Sequence, residues 1–210
     1  MSDNYTVDNN TYATNPGNTE LNYWQWFLHN IPIVALLTLG LLMSAYLVEM
    51  FSMWFIILFL LLLAVNGFYW LRKKEHFKSG DSNGGIVVSV NPYLLAVSTD
   101  LTRGFGSFPI VKIVKIRSRE KLKVGDKVPT VALYSPSEKD DLPHWGDFHP
   151  QPLFYASRDK IDIKRAMDSY SEEDWQKLEK RIGEIQKPYV EGIFKVEITE
   201  SDWQDYPDSF

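Results

Sequence analysis

The chain has no cysteine, which excludes disulfides, thiolate catalysis and cysteine-ligated zinc. That absence is compatible with a reducing compartment. Basic residues are missing from the first third: all 22 Lys and Arg lie at or after Arg72. With no basic n-region ahead of it, the apolar run that follows is not expected to be a cleaved signal peptide. Acidic residues are sparse there too, since residues 1–71 hold only Asp3, Asp8, Glu20 and Glu49. Of the 27 Asp and Glu, 23 therefore remain after Leu71 against 22 bases, so that part is nearly neutral. A nucleic-acid binder needs a clearly basic domain, and nucleic acid is excluded as a partner. No phosphate loop, nucleotide fingerprint, nucleophile elbow or zinc-protease helix occurs, and no cofactor is implied.

What the chain has instead is a long apolar run, Ile31 to Leu71, in which Glu49 is the sole formal charge. As helix the run would be about 60 Å long, roughly twice the hydrocarbon thickness of a bilayer. Two crossings turning back near Glu49 are expected, because a charge at mid-membrane costs a few kcal/mol. Asn30 can cap the first crossing, with Pro32 in its first turn. Trp54 stands near the turn, while Tyr69 and Trp70 lie at the other end beside Trp24 and Trp26. These rings suit the two membrane–water interfaces, with a protein-packed aromatic knot as the alternative for the Tyr23–Phe27 cluster. Arg72, Lys73 and Lys74 are expected to hold their end on the cytoplasmic side, which would make both termini cytoplasmic. No Gly or Pro marks the turn, so a single tilted or re-entrant segment is the competing arrangement. Asn66 is either a helix-contact site or an interface residue.

Before the run, residues 2–22 are rich in Asn, Thr and Tyr with few aliphatics, and read as flexible. The Asn-x-Thr triplets at Asn4 and Asn9 arise easily by chance in such a segment. After it, Ser79–Gly85 reads as a flexible linker by composition. The expected organisation is a tail over 1–30, a hairpin over 31–71, a basic juxtamembrane linker over 72–84, a soluble domain over 85–199 and an acidic tail over 200–210. Strand-like runs at 85–90, 94–99, 108–117 and 127–134 predict a small antiparallel sheet or partly open barrel. The proline-rich stretch 135–152 reads as a surface loop. Asp162 can cap a short helical turn. Ser171 with Asp174 forms a capping box for a helix with Trp175, Leu178, Ile182 and Ile185 on one face, ended by Pro188. Residues 193–199 alternate as a closing strand. The fold class is α+β: a two-helix hairpin, then a small sheet with a packed C-terminal helix.

The run PTVALYSPSEKDDLPHWGDFHPQPLFYASRD, followed by SEEDWQKLEKRI, resembles the bacterial domain of unknown function numbered 3239. Its Ala-Leu-Tyr strand, His-Trp-x-x-Phe-x-Pro stretch and Trp-x-x-Leu helix carry the likeness over residues 85–186. The resemblance implies no activity. The layout of hairpin plus small β-domain is also similar to NfeD-type membrane proteins, by architecture alone.

Few residues invite chemistry. His144, Asp147 and His149 lie within six residues and could ligate a divalent metal; the alternative is a loop plugged down by Trp145 and Phe148. Arg117, Arg119, Lys121 and Lys123 alternate, so in extended conformation they share a face. With Arg72, Lys73 and Lys74 they could meet anionic headgroups, or they could simply be a solvated edge. Trp203 and Tyr206 in the acidic tail could contact a partner or the basic strand. The reading that joins these points is a non-enzymatic, membrane-anchored accessory module that binds a protein partner or larger membrane complex. A metal-dependent enzyme centred on His144, Asp147 and His149 is its alternative, and an anionic-lipid surface binder is a further one.

Overall fold

The computed structural model describes residue 13 and residues 15–103, 107–137 and 144–197. Asn22 caps α1 (Tyr23–His29) by accepting the Gln25 backbone N–H. Asn30 then opens α2 (Ile31–Met50), and Pro32 occupies the first turn, where its missing N–H costs nothing. The chain turns at Phe51 and Ser52, passes a short 3-10 segment (Met53–Phe55), and returns as α3 (Ile56–Ser79) beside α2. Asn66 is a helix contact: its side-chain amide donates to the Leu37 carbonyl of α2 and to the Leu62 carbonyl, both at 3.2 Å. Both helices are long and apolar enough to cross a membrane. They also turn large apolar side chains outward, Leu36 being 71% exposed and Trp54 81%. Apolar surface of this extent marks a segment that a membrane or a protein partner covers.

The apolar part of α3 ends at Leu71, but the helix does not. It continues two more turns to Ser79, with His76 and Phe77 buried, and β1 (Asp81–Val90) starts after a single residue. The segment expected as a flexible linker, 79–85, is thus helix end and first strand. Its small residues serve close packing. A Cβ on Gly80 would stand 2.8 Å from the Ala132 carbonyl and from Val131 Cγ1, so no larger residue fits. Its polar side chains are likewise engaged, since Asn83 donates to the Asp81 carbonyl.

Residues 15–22 differ from expectation in the same way. They form a strap along the end of α3: Gly17 N–H donates to Gly80 O at 2.9 Å, Thr19 N–H to Phe77 O at 3.1 Å, and Ser82 N–H to Asn15 O at 2.7 Å. The Arg165 guanidinium clamps the strap from outside, donating to Gly17 O, Asn18 O and Thr19 Oγ1. Thr19 is fully buried. Backbone hydrogen bonding, which composition does not report, orders this stretch.

The remaining strands are β2 (Tyr93–Asp100), β3 (Pro109–Lys115), β4 (Lys127–Ser135), β5 (Asp147–Pro152) and β6 (Gly192–Lys195). They form one antiparallel sheet in the order β5-β4-β1-β2-β3-β6. β5 lies where a surface loop was expected. Its two prolines are tolerated because it is an edge strand, and Phe148 is fully buried between them and the turn. Three strands separate β5 from β3 in the order, yet Lys112 of β3 holds Asp147 of β5 at 2.7 Å. The sheet is therefore curled into a half-barrel, filled by Val87, Leu95, Val97, Val128, Trp145 and Phe148.

Strand alternation sends Ile86, Val88, Leu94, Ala96, Val111 and Ile113 to the outer face, which α5 (Glu172–Gly183) covers with Trp175, Leu178 and Ile182. Each fully buried aliphatic here contributes on the order of 1.5–3 kcal/mol. A Cβ on Gly84 would lie 2.9 Å from the Trp175 ring, so glycine is what lets the indole reach the sheet. Ser171 and Asp174 form the expected capping box, but the helix ends at Gly183, before Pro188. The preceding helix, α4 (Lys160–Asp168), is capped by Asp159 and not by Asp162, which instead accepts from Ser157 Oγ at 2.8 Å. The final strand is shorter than expected and residues from 198 onward lie outside the described ones.

Candidate functional site

The hairpin meets the half-barrel at a knot of rings built on Trp26. This residue was expected at a membrane interface, together with Trp24, Trp54, Tyr69 and Trp70. It is buried inside the protein instead, because α1 folds back against α3 and the segment after β5. The indole N–H donates to the Tyr69 hydroxyl at 2.7 Å, and the ring stands edge-on to Phe77 and Tyr155 at 5.7 and 6.1 Å. The Lys73 ammonium caps the ring 5.0 Å from its centre, a cation–π contact. Trp24 and Trp54 are exposed, while Tyr69 and Trp70 are half-buried and contact one another at 5.2 Å.

Two histidines belong to this knot. His76 Nε2 donates to the Val131 carbonyl at 2.8 Å, which fixes its proton on that nitrogen. Burial, reinforced by Lys73 nearby, pushes its pKa down to about 3, so it is neutral at physiological pH. His29 stacks at 4.9 Å on Tyr155 and donates Nδ1–H to Gln25 O at 2.9 Å. Burial, and then the charges of Arg158 and Arg119, hold its pKa below the ordinary histidine value.

The three metal candidates are each otherwise engaged. His144 stacks on Phe108 at 4.1 Å and bonds the Trp145 carbonyl through Nδ1 at 2.7 Å. Both carboxylate oxygens of Asp147 are held by Lys112 Nζ, at 2.7 and 2.8 Å. His149 Nε2 is 2.7 Å from Ser135 Oγ. Among the described residues no three His, Asp or Glu side chains gather as a ligand set. Each of the three is held by a separate protein partner, and the Lys112–Asp147 pair ties β3 to β5.

Arg117, Arg119, Lys121 and Lys123 lie past the end of β3 at Lys115, on the loop to β4, so strand alternation does not give them a shared face. All four are exposed. Trp203 and Tyr206 fall outside the described residues.

Two cavities carry no sequence signal. One is a polar cleft of about 570 Å³ between α5 and the ends of β1 and β2, lined by Asp81, Ser98, Thr99, Tyr134, Tyr170 and Arg181 among others. Asp81 accepts from the Asn15 N–H at 3.1 Å and the Tyr134 hydroxyl at 3.2 Å, while Arg181 donates to Ser98 Oγ at 2.7 Å. Burial raises the pKa of both tyrosines, the nearby Asp81 charge adding to it. Their phenols remain hydrogen-bond donors and do not serve as bases near neutral pH. The other cavity is an apolar groove of about 780 Å³ at the β1–β2 turn, walled by Val88, Pro92, Val124, Pro188 and Val190. Residues of each cavity come from separate stretches of chain, with no motif to announce them.

A family model described as "Protein of unknown function (DUF3239)" matches residues 71–186, more than half of the chain, and the chain belongs to that family. The match starts at Leu71, fourteen residues before the expected boundary, where α3 enters the domain. No curated protein matches the chain. It is similar to a crystal structure of a "putative membrane protein" from Corynebacterium diphtheriae, with 19% sequence identity and a TM-score of 0.48. That likeness covers 55% of this chain and 100% of the other.

Proposed function

We propose that this protein is a membrane-anchored binding module, an accessory subunit that holds a small α+β domain against one face of a bilayer for a protein partner. The observation that carries this reading is the continuity of α3. One helix leads from apolar surface at Ile57 and Leu61 into the domain core at His76 and Phe77, with no hinge before β1. A domain fixed in this way keeps one orientation to the membrane, which suits a component of a larger membrane complex.

Three further features support it. Arg72, Lys73 and Lys74 follow the apolar part of α3 immediately, which favours two crossings with both ends cytoplasmic at a bacterial inner membrane. The apolar groove carries Val124 at 64% and Val190 at 57% exposure, a surface that a protein segment with apolar side chains could cover. The polar cleft holds its tyrosines protonated, which suits binding better than acid–base catalysis. No observation favours the metal-enzyme alternative.

The test uses the full chain purified in mild detergent. A partner is expected to co-purify in fixed ratio with the wild type and to be lost from a Val124→Glu, Val190→Glu double variant that melts at the same temperature. A monomer with no companion, or a companion retained by the variant, would reject the groove as the contact. Release of the wild type from membranes by alkaline carbonate would reject the anchor.

A further inference from the structure

The end of β3 lies next to the start of the first crossing, a juxtaposition of residues more than eighty positions apart. Arg117 donates its backbone N–H to the Tyr155 hydroxyl at 2.7 Å, and the Tyr155 ring stacks on His29 at 4.9 Å. His29 and Asn30 immediately precede Ile31, the first residue of α2. Between these parts runs a groove of about 210 Å³ lined by His29, Asn30, Lys115, Arg117, Gln151 and Tyr155. Lys115 and Arg117 are both exposed. Arg119 and Arg158 are close enough to act on the charge state of His29, with Glu120 3.6 Å from the Arg158 guanidinium as the local counter-charge.

Resting on the anchored reading above, we infer that this groove binds the headgroup of an anionic phospholipid of the phosphatidylglycerol type. Two of its lining residues, His29 and Asn30, directly precede α2, so the groove sits at the depth of lipid phosphates whenever α2 crosses the bilayer. Lys115 and Arg117 attract a phosphate and repel the cationic end of a choline headgroup. Asn30 and Gln151 add amide donors and acceptors. His29 spends Nδ1–H on Gln25, which leaves Nε2 as an acceptor for a headgroup hydroxyl. Its depressed pKa keeps that nitrogen unprotonated at neutral pH.

Native mass spectrometry of the full chain, titrated in detergent with phosphatidylglycerol, phosphatidylcholine or glycerol phosphate, tests this directly. The wild type is expected to retain phosphatidylglycerol in preference to phosphatidylcholine. Lys115→Glu with Arg117→Glu should weaken retention by at least about tenfold, Arg117→Lys should preserve it, and Lys121→Glu with Lys123→Glu should leave it unchanged. Both reversed pairs lie on exposed positions, and matching melting temperatures confirm that each variant is folded. Equal retention of phosphatidylcholine, equal loss in the Lys121 and Lys123 variant, or equally tight binding of glycerol phosphate would overturn the inference. The last would identify a soluble phosphate ester as the ligand. Carbonate extraction, run in parallel, separates the two readings: loss of lipid selectivity with anchoring intact removes only this one.

Discussion

In the hairpin large apolar side chains stand exposed, Leu36 at 71% and Leu39 at 64%, whereas at the junction with the domain even polar side chains are buried, beside the rings of Trp26 and Phe77. Thr19 is inaccessible, His76 is 3% exposed and Ser79 7%. The two regions share α3 and are separated by about one turn of it. With the hairpin anchored in a membrane, as proposed above, the difference follows from the solvent on each side. Apolar side chains facing a bilayer gain from being outside, so the hairpin needs little interior beyond the Asn66–Leu37 contact. The junction faces water and must satisfy the polar groups it encloses, which it does with the Arg165 clamp, the His76–Val131 bond and the strap of residues 15–22.

The sharpest way to break this contrast is to truncate one large side chain on each side. Phe77→Ala is expected to destabilise the domain by about 3–5 kcal/mol, as loss of a buried ring does. Leu39→Ala should change its unfolding in detergent by less than about 0.5 kcal/mol, because Leu39 has no protein core to leave. Chemical denaturation followed by the fluorescence of Trp26 and Trp175 measures both. A comparable loss from the two would place Leu39 in a protein contact and dissolve the contrast.

A smaller effect comes from proton linkage. His76 lies beyond the apolar part of α3 and its pKa falls to about 3 in the folded protein, against an ordinary 6.5. Between these values the unfolded chain binds a proton that the folded one refuses, so stability rises with pH across that window. It is complete above about pH 6.5 and lost progressively as pH falls towards 3. The cost at pH 5 is on the order of 2 kcal/mol. His29, also depressed, acts with the same sign. Denaturation at pH 5 and pH 7.5 should show the slope, and His76→Gln should flatten most of it. An unchanged slope in the variant would assign the effect elsewhere.

The smallest prediction concerns the hairpin's own polar contact. Asn66→Leu should weaken the pairing of α2 and α3 by about 0.6 kcal/mol, the typical worth of one interhelical hydrogen bond in a membrane. A thermal scan of the detergent-solubilised protein by near-ultraviolet circular dichroism reads it. A loss of several kcal/mol would give the hairpin an interior as demanding as the junction.

Periodicity was a faithful guide where one face of an element is buried and the other solvated. It marked the capping box at Ser171 and the stripe of Trp175, Leu178 and Ile182, and it located β2 and β4 to within a residue or so. It misled where polarity and burial part company. Ser82, Asn83 and Gly84 have the composition of a linker and the environment of a core strand, since their bonds go to β4 and the glycine admits the Trp175 ring. The prolines of β5 suggested a loop because alternation cannot report that a strand is at a sheet edge. His144, Asp147 and His149 were conspicuous by proximity. Lys112, thirty-five residues before Asp147, engages the one carboxylate among them, and only the curl of the sheet brings it there.

By itself the sequence determined what local chemistry can specify: two apolar helices of membrane length, a cation cluster closing the second, an α+β domain and its family. Tertiary structure alone decided how α3 becomes part of the domain, which polar groups lie inside, and that the end of β3 stands beside the residues leading into α2. Those outcomes depend on which distant segments meet. Hydrogen bonds and close contacts between residues far apart in the chain set that choice, and they leave no period in the sequence to read.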